Sequence, residues 1–293
     1  MQPLHASDLA SWSRCAQAFK LEKIDCLPRK QLSATAYGSV VHHALEVLER
    51  TQDVDIAVDS FAAYWHPMHI EAITEPVDIW LPRQTFNSLL VRGMETIRRY
   101  AELKPWQDTE LLATELSFTV PVPGTHDPDD PSKPLMLAGT MDKLVSGFHR
   151  RFLTLEVQDH KSGKKQTYLR HNIQGTAYLA ATERPEFWLG NPDFHTDGFG
   201  PERGQQLMDR FAGAARKFTW IDLNNCEFLD GGFRGPKDYA RLAVALQQMA
   251  DSIHAEIFPL SVSGEHCNFC HMRDWCAGIG VDDQEGKPQT AFN

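Results

Sequence analysis

Two acidic residues, each closing an apolar run, are the side chains of this sequence best placed to do chemistry. Asp142 follows LMLAGTM and Asp159 follows FLTLEVQ, with His160 and Lys161 directly after the second acid. Leaving an ionised carboxylate at the end of a buried strand costs roughly several kcal/mol unless a cation or hydrogen-bond donors compensate it. Two such carboxylates on neighbouring strands repel each other. A divalent cation removes that repulsion, and a lysine beside it contributes further positive charge. An acid, then Asp-x-Lys after a hairpin, suits a metal-dependent phosphodiesterase.

Other residues have the type and spacing to join them. In SATAYGSVVHHALEVLER, His42 and Glu46 are four apart and share a helix face. A neutral imidazole binds metals alongside carboxylates, although a helical histidine needs no metal to be satisfied. His43 points away from that face and reads as structural. Glu115 alternates with apolar neighbours in LLATELSFTV and faces either the acids or solvent. Gln174 and Tyr178 lie four apart on one helix. The six cysteines are Cys15, Cys26, Cys226, Cys267, Cys270 and Cys276. The last three, Cys-x2-Cys-x5-Cys, fall one ligand short of a tetrahedral site or an iron–sulfur cluster. Cys15 is the best candidate for the fourth ligand; its alternative is a small buried hydrophobe.

The elements that position these residues follow from periodicity and breakers. A short helix is predicted over 7–24, capped by Ser7 or Asp8 and carrying Cys15. A second helix covers 33–50, with Gly38 allowing close backbone approach near its start. Residues 55–104 read as helical throughout. Strands are predicted over 111–120, 135–145 and 151–158, the last two joined by a turn through Ser146 and Gly147. A helix follows over 169–183, and 216–223 forms one more strand within the Pro-, Gly- and Asp-rich stretch 185–235. An amphipathic helix covers 236–257. The fold class is α/β: a mixed sheet with helices on both sides, the acids at one sheet edge, and a helical insertion over about 50–105. One domain spans 1–276, and 277–293 is a loose tail.

The net charge of −10 over 293 residues sits awkwardly with a nucleic-acid partner, which calls for a basic surface. A local groove built from His149, Arg150, Arg151, Lys161, Lys164, Lys165, Arg216 and Lys217 would answer this; a solvated charged face is the plainer reading. No run of 18 apolar residues predicts a transmembrane helix. The N-terminus lacks the pattern of a secretory signal. The expected location is therefore the reducing cytoplasm, where cysteines serve as ligands or core residues rather than disulfides. No Gly-x4-Gly-Lys-Ser/Thr is present, so any unwinding must come from a partner.

Taken together, these pieces resemble the PD-(D/E)XK nuclease superfamily, in its RecB-like branch. They are most similar to members with a four-cysteine iron–sulfur cluster, such as the exonucleases of CRISPR adaptation and the nuclease domain of the AddAB helicase–nuclease. The resemblance runs from Cys15 to Cys276. GSVVHHALE is similar to the Gly-x-x-x-His helix and gives His42; AGTMDKL is similar to the Gly-x-x-Asp strand and gives Asp142. QDHKSG is similar to the Asp-x-Lys strand end and gives Asp159 and Lys161; QGTAY is similar to the Gln-x-x-x-Tyr helix and gives Gln174 and Tyr178. Cys15 with Cys267, Cys270 and Cys276 matches a cluster split between one early and three late cysteines. Two departures stand out: Met141 replaces the proline before Asp142, and His160 fills a position more often aromatic or apolar.

The resemblance implies a restriction-endonuclease-like core and a metal-dependent DNA nuclease, an exonuclease on single-stranded DNA or DNA ends. The pathways it implies are repair, recombination, phage or CRISPR-related processing. His42, Asp142, Asp159 and the main-chain carbonyl of His160 would hold Mg²⁺ or Mn²⁺. Lys161 would orient the attacking water and stabilise the phosphate, Gln174 would position the metal shell or the nucleotide, and Tyr178 would contact DNA or pack behind the site. The four cysteines would staple the two ends of the chain around a [4Fe–4S] cluster, with Zn²⁺ the competing occupant. A helicase or other DNA-processing protein is the implied partner. The competing reading is a non-catalytic DNA- or protein-binding module with a structural four-cysteine metal site. RNA also stays open as a substrate, since no residue is seen to read a 2′-hydroxyl.

Overall fold

The structure, a computed structural model, describes residues 1–28, 31–66, 69–162, 169–194 and 202–261, together with Cys267, Cys270, Met272, Trp275 and Cys276. The expected tail over 277–293, and Lys164 and Lys165, lie outside the described residues. In chain order the elements are β1 (Leu4–His5), α1 (Ala6–Arg14), α2 (Ala16–Phe19), α3 (Ser33–Thr51), α4 (Val54–Tyr64), α5 (Phe86–Glu102), β2 (Glu110–Pro121), β3 (Met136–His149) and β4 (Phe152–Lys161). Then come α6 (Ile173–Ala181), α7 (Pro185–Leu189), α8 (Glu202–Phe211), β5 (Ala215–Asp222), β6 (Glu227–Arg234) and α9 (Pro236–His254).

The six strands make one mixed sheet with helices on both sides. β2 pairs antiparallel with β3 over nearly its whole length, from Pro121↔Met136 to Glu110↔Ser146. That leaves β3 one free edge, which two strands share: β1, parallel, at Leu137 and Ala138, and β4, antiparallel, from Lys143 to His149. Between them, over Gly139–Asp142, the edge has no strand partner, so β3 stands at a fork. β5 joins β4 in parallel and β6 closes the sheet antiparallel to β5. One core joins the sheet to α1, α6 and α9 through Leu9, Leu116, Met141, Val157, Tyr178, Phe218 and Leu246. The second core joins α3, α4 and α5 to the other face through Val41, Leu45, Phe61, Ile97, Ile221 and Leu223.

Local chemistry explains where the elements depart from periodicity. The N-terminal helix is capped not by Ser7 or Asp8 but by His5, whose N–H donates to Asp8 Oδ2 at 3.3 Å. It breaks at Cys15, an extended residue, before resuming as α2 and a π-helical turn over Lys20–Ile24. Residues 55–104 are not one helical stretch. Pro76 and Pro82 cannot continue a helix; Ile79 instead bridges to Leu32, and α5 starts afresh on a reciprocal Thr85–Ser88 cap. The β3–β4 hairpin turns on Arg150 and Arg151, both at positive φ (47° and 74°), rather than on Ser146 and Gly147. A two-residue turn of that hand favours Asn and Gly, so an Arg pair carries no signal for it. β1 and β6 are strands that periodicity does not reveal, β1 being two residues long and β6 interrupted by the glycine pair Gly231–Gly232.

Two helical glycines separate packing from propensity. A Cβ on Gly175 in α6 would lie 2.6 Å from the Phe218 ring, whereas one on Gly38 in α3 meets only Ser162 Oγ at an ordinary 3.5 Å. The expected close approach at Gly38 is therefore absent, and the one that matters is at Gly175. Replacing Gly with Ala inside a helix gains about 1 kcal/mol of propensity, and overpacking a core costs about 1–3 kcal/mol. Gly175→Ala should lower the denaturant midpoint while Gly38→Ala leaves it unchanged or raises it; equal shifts would show that α6 does not press on β5 as described.

Candidate metal centre

The fork in the sheet gathers the acids. Glu115 on β2 lies opposite Asp142, between the pairs Thr114↔Lys143 and Leu116↔Met141. Residues two apart in a strand normally share a face. Here Leu116 and Met141 belong to the α6 core, while Thr114 and Lys143 bond to α3 residues, Arg50 and Glu49. Both strands change face at the level of Glu115 and Asp142. Glu115 makes the change with φ at +48°, a region costly for a side-chain-bearing residue and characteristic of functional sites. Across the fork the β3–β4 ladder ends at Lys143↔Gln158. The N–H of His160 then donates to Asp142 Oδ2 at 2.7 Å instead of to a strand carbonyl. The acids are thus not at an edge strand, as expected from the sequence, but in the sheet interior where β3 leaves β4.

α3 supplies the imidazole. Val40, Val41, Ala44, Leu45 and Leu48 bury one stripe of the helix, and His42 comes out beside it at the fork. Its Nδ1 lies 3.6 Å from Asp142 Oδ2 and 3.9 Å from Glu115 Oε1. Among the described residues, His42, Glu115 and Asp142 form the one group of three metal-capable side chains with ligand atoms within 4.8 Å of one another. Asp159 falls outside that group. Glu46, which shares a face with His42, is held instead by Arg50 at 2.7 Å, and His43 packs edge-on against Tyr64.

β4 and α6 complete the site from the other face. Asp159 is fully buried; Lys161 Nζ lies 2.9 Å from its Oδ2 and 5.7 Å from the centre of the Trp220 ring. The same ammonium donates to Asp159 Oδ1 at 3.1 Å, so it spans both carboxylate oxygens. Asn172 caps α6 by accepting from Gly175 N–H, which sets Gln174 and Tyr178 towards the acids; Gln174 Nε2 donates to Tyr178 Oη at 2.6 Å.

The charges do not balance. Burial, then Asp142, pushes the Glu115 carboxyl up to about 8. Burial lifts Asp159 to about 7, Asp142 adding to the rise and Lys161 opposing it. At Asp142 burial also pushes upward, but His42, Lys161 and His160 outweigh it and hold this acid below the usual carboxylate range. Burial pulls the Lys161 ammonium down, yet Asp159 and Asp142 more than restore it. Burial raises Tyr178, with Asp159 and Asp142 adding to it. One acid is kept ionised and two are driven towards protonation, as burial and mutual repulsion of neighbouring carboxylates dictate.

The cysteines gather elsewhere. Burial raises the thiols of Cys270 and Cys276, and Cys15 and Cys267 push both further. Cys15 therefore comes within electrostatic reach of Cys270 and Cys276. All four are free thiols; Cys26 is exposed and Cys226 buried, apart from them. Two of the residues expected in a basic groove are spent elsewhere: Arg216 is buried against Thr182, Phe211 and Ala214, and Lys217 pairs with Glu156 at 3.2 Å. Glu49, Tyr100 and Lys143 behind the site carried no sequence signal beyond polar residues on otherwise apolar faces.

No helix among the described residues is long and apolar enough to cross a membrane. No curated protein matches the chain. A solved structure titled "Crystal structure of SSO0001" is 11% identical with a TM-score of 0.34, covering 92% of this chain and 83% of its own, a likeness too slight to carry an argument. The sequence of acids, lysine and helices around the fork has a firmer counterpart: residues 3–277 match the PD-(D/E)XK nuclease superfamily, and the chain belongs to it.

Proposed function

We propose that the protein is a Mg²⁺- or Mn²⁺-dependent deoxyribonuclease. The observation that carries this is the convergence of His42, Glu115, Asp142, Asp159 and Lys161 at the fork, three carboxylates with one lysine ammonium among them. The residues fit a hard divalent ion: an imidazole and carboxylate oxygens, three of the side chains having ligand atoms within 4.8 Å of one another. In an extended strand the N–H and C=O of one residue leave the same edge. The His160 N–H meets Asp142, so its carbonyl also faces the fork. His42, Glu115, Asp142, Asp159 and the His160 carbonyl would hold the ion, Glu115 being an addition to the set expected from the sequence.

Bound there, a divalent cation acidifies its water and neutralises charge on a phosphate. The chain's own residues do the rest. Lys161, braced by Asp159 and the Trp220 ring, presents its ammonium to the scissile phosphate and to the attacking water. Gln174 and Tyr178, bonded to each other, border the acids on the α6 side and orient the nucleotide. The resemblance to exonuclease-bearing members makes DNA with free ends, single-stranded or duplex, the substrate to test first, with a helicase or other processing protein as loading partner and the cytoplasm as location. Repair, recombination and phage or CRISPR-related processing are the settings this fits.

The four cysteines would hold a [4Fe–4S] cluster of structural role, clamping the N-terminal helix to the C-terminal segment. Tetrahedral zinc, with Zn–S of about 2.3 Å, needs sulfurs roughly 3.8 Å apart. Among the described residues no three cysteine sulfurs lie within 4.8 Å, although their charges interact. Metal analysis decides between the two occupants.

Three outcomes test this reading. With Mn²⁺ or Mg²⁺ the protein should degrade labelled DNA, EDTA should stop it, Asp142→Ala should abolish it, and Lys161→Ala should cost roughly 10²–10³-fold in kcat; equal rates in all three proteins would mean a contaminant. The raised acids bind protons when the chain folds, so they stabilise the metal-free protein below about pH 4 and lose that contribution as the pH rises through about 7 to 8. His160, held down to about 3 by burial, opposes this only below its unfolded pKa, near 6.5. The rise in melting temperature on adding Mn²⁺ should accordingly grow between about pH 5 and pH 8; a rise independent of pH would place the ion elsewhere. Protein purified without oxygen should be coloured and contain iron and sulfide, lost in Cys15→Ser; a colourless protein with stoichiometric zinc would refute the cluster.

A further inference from the structure

Behind the acids, on the α3–α5 side of the sheet, lies a buried polar chain that the reaction above does not use. Glu49 of α3 and Lys143 of β3 form an ion pair at 2.8 Å with both side chains 1% exposed. Tyr100 of α5 donates its hydroxyl to Glu49 Oε1 at 2.6 Å, and His160 Nε2 lies 3.1 Å from the same hydroxyl. Lys143 Nζ also donates to the Pro105 carbonyl at 3.2 Å. Stability is a weak reason for such a chain, because a buried ion pair seldom outperforms well-packed apolar residues of the same volume.

Its placement offers a stronger reason. Lys143 is the residue after Asp142, and His160 is the residue whose N–H holds Asp142 and whose neighbours are Asp159 and Lys161. The β3–β4 ladder stops at Lys143↔Gln158, so beyond that pair no ladder pair fixes β3 against β4. The Glu49 carboxylate takes over: it grips β3 through Lys143 and β4 through Tyr100 and His160. We propose that Glu49, Tyr100 and Lys143 are positioning residues that set the spacing of Asp142 from the His160 main chain, and with it the affinity and geometry of the metal site. This rests on the metal-dependent nuclease reading. The hydrogen bonds also assign a tautomer. The Tyr100 proton is committed to Glu49, so His160 must donate from Nε2, leaving Nδ1 bare and 3.9 Å from Asp142 Oδ2. The His160 ring is thus tied into the helical layer through Tyr100.

The test compares wild type, Tyr100→Phe and the double variant Tyr100→Phe/His160→Phe. Tyr100→Phe keeps the ring and removes the hydroxyl. It should remain folded by circular dichroism, keep its KM for DNA, and lose roughly 10- to 100-fold in Mn²⁺ affinity and in kcat, as removal of a group supporting metal ligands does. The electron-spin resonance spectrum of its bound Mn²⁺ should differ from wild type. The double variant leaves no orphaned imidazole and should be no worse than the single, since both remove the same Glu49–His160 connection. Independently of activity, nitrogen NMR of the metal-free protein should show His160 protonated at Nε2, with that signal altered in Tyr100→Phe. A folded Tyr100→Phe with wild-type Mn²⁺ affinity and kcat, or a His160 protonated at Nδ1, would overturn the proposal. A wild type that neither binds Mn²⁺ nor cleaves DNA would instead defeat the nuclease reading, while the NMR result would still decide whether the relay exists.

Discussion

Three carboxylates meet where β3 and β4 part, and the fold supplies one ammonium to answer them. Everything around the fork can be understood as a response to that imbalance. Lifting Asp159 from an ordinary 3.8 to about 7 costs its ionised form on the order of 4 kcal/mol. A domain of this kind has a net stability of only about 5–15 kcal/mol, so the cost is a large part of the total. A sequence selected for stability alone would place apolar residues here. Instead Glu115 is turned into the site through a positive φ, and Asp142 is kept ionised by His42, Lys161 and a main-chain N–H. Local rules are broken at one place and compensated around it, as at a site retained for its chemistry.

The sheet makes such a place available by failing to continue its own ladder. β3 is long enough to pair with β1 at one end and β4 at the other, and the four residues between have a bare edge. An unpaired edge inside a sheet leaves main-chain donors and acceptors in need of partners. Asp142 meets one of them. The two helices that deliver the remaining groups approach from opposite faces, α3 with His42 and α6 with Gln174 and Tyr178. Each is fixed by its own core, so neither can shift without disturbing many apolar contacts. The residues in the site are thus held by two independently packed layers, with Glu49 tying the strands together between them.

Much of this was legible in the sequence, and the reasons differ by element. α3, α6, α9 and strands β2 to β5 announce themselves through periodicity, because each buries one face. His42, Asp142, Asp159, Lys161, Gln174 and Tyr178 were all singled out, since a charge ending an apolar run or a polar pair four apart on a helix is conspicuous. Glu115 was left open between site and solvent, because simple alternation is uninformative at a residue whose φ reverses the pleat. Glu49, Tyr100 and Lys143 were invisible for a different reason. A single polar residue within an apolar pattern looks the same whether it reaches solvent or a buried partner 40 to 100 residues away, and only the tertiary fold brings Glu49 to both Lys143 and Tyr100. Arg216 shows the converse, a cation counted towards a groove that spends its charge on main-chain carbonyls and Thr182.

The chain's charge gives the metal a further role on this reading. A protein at −10 in which Lys161, Arg216 and Lys217 of β4 and β5 pair with its own acids has little net positive field to draw in a polyanion. Screening limits such fields to about 8 Å at physiological salt, so what a phosphate meets is decided at the fork itself. There, Asp142 is ionised while Glu115 and Asp159 are raised towards protonation beside Lys161; a divalent cation among them would hold all three acids ionised and balance the charge that Lys161 leaves unmatched. Metal binding then does more than prepare the water. On this reading it would set the protonation of the acids and the charge that a phosphodiester meets at the fork.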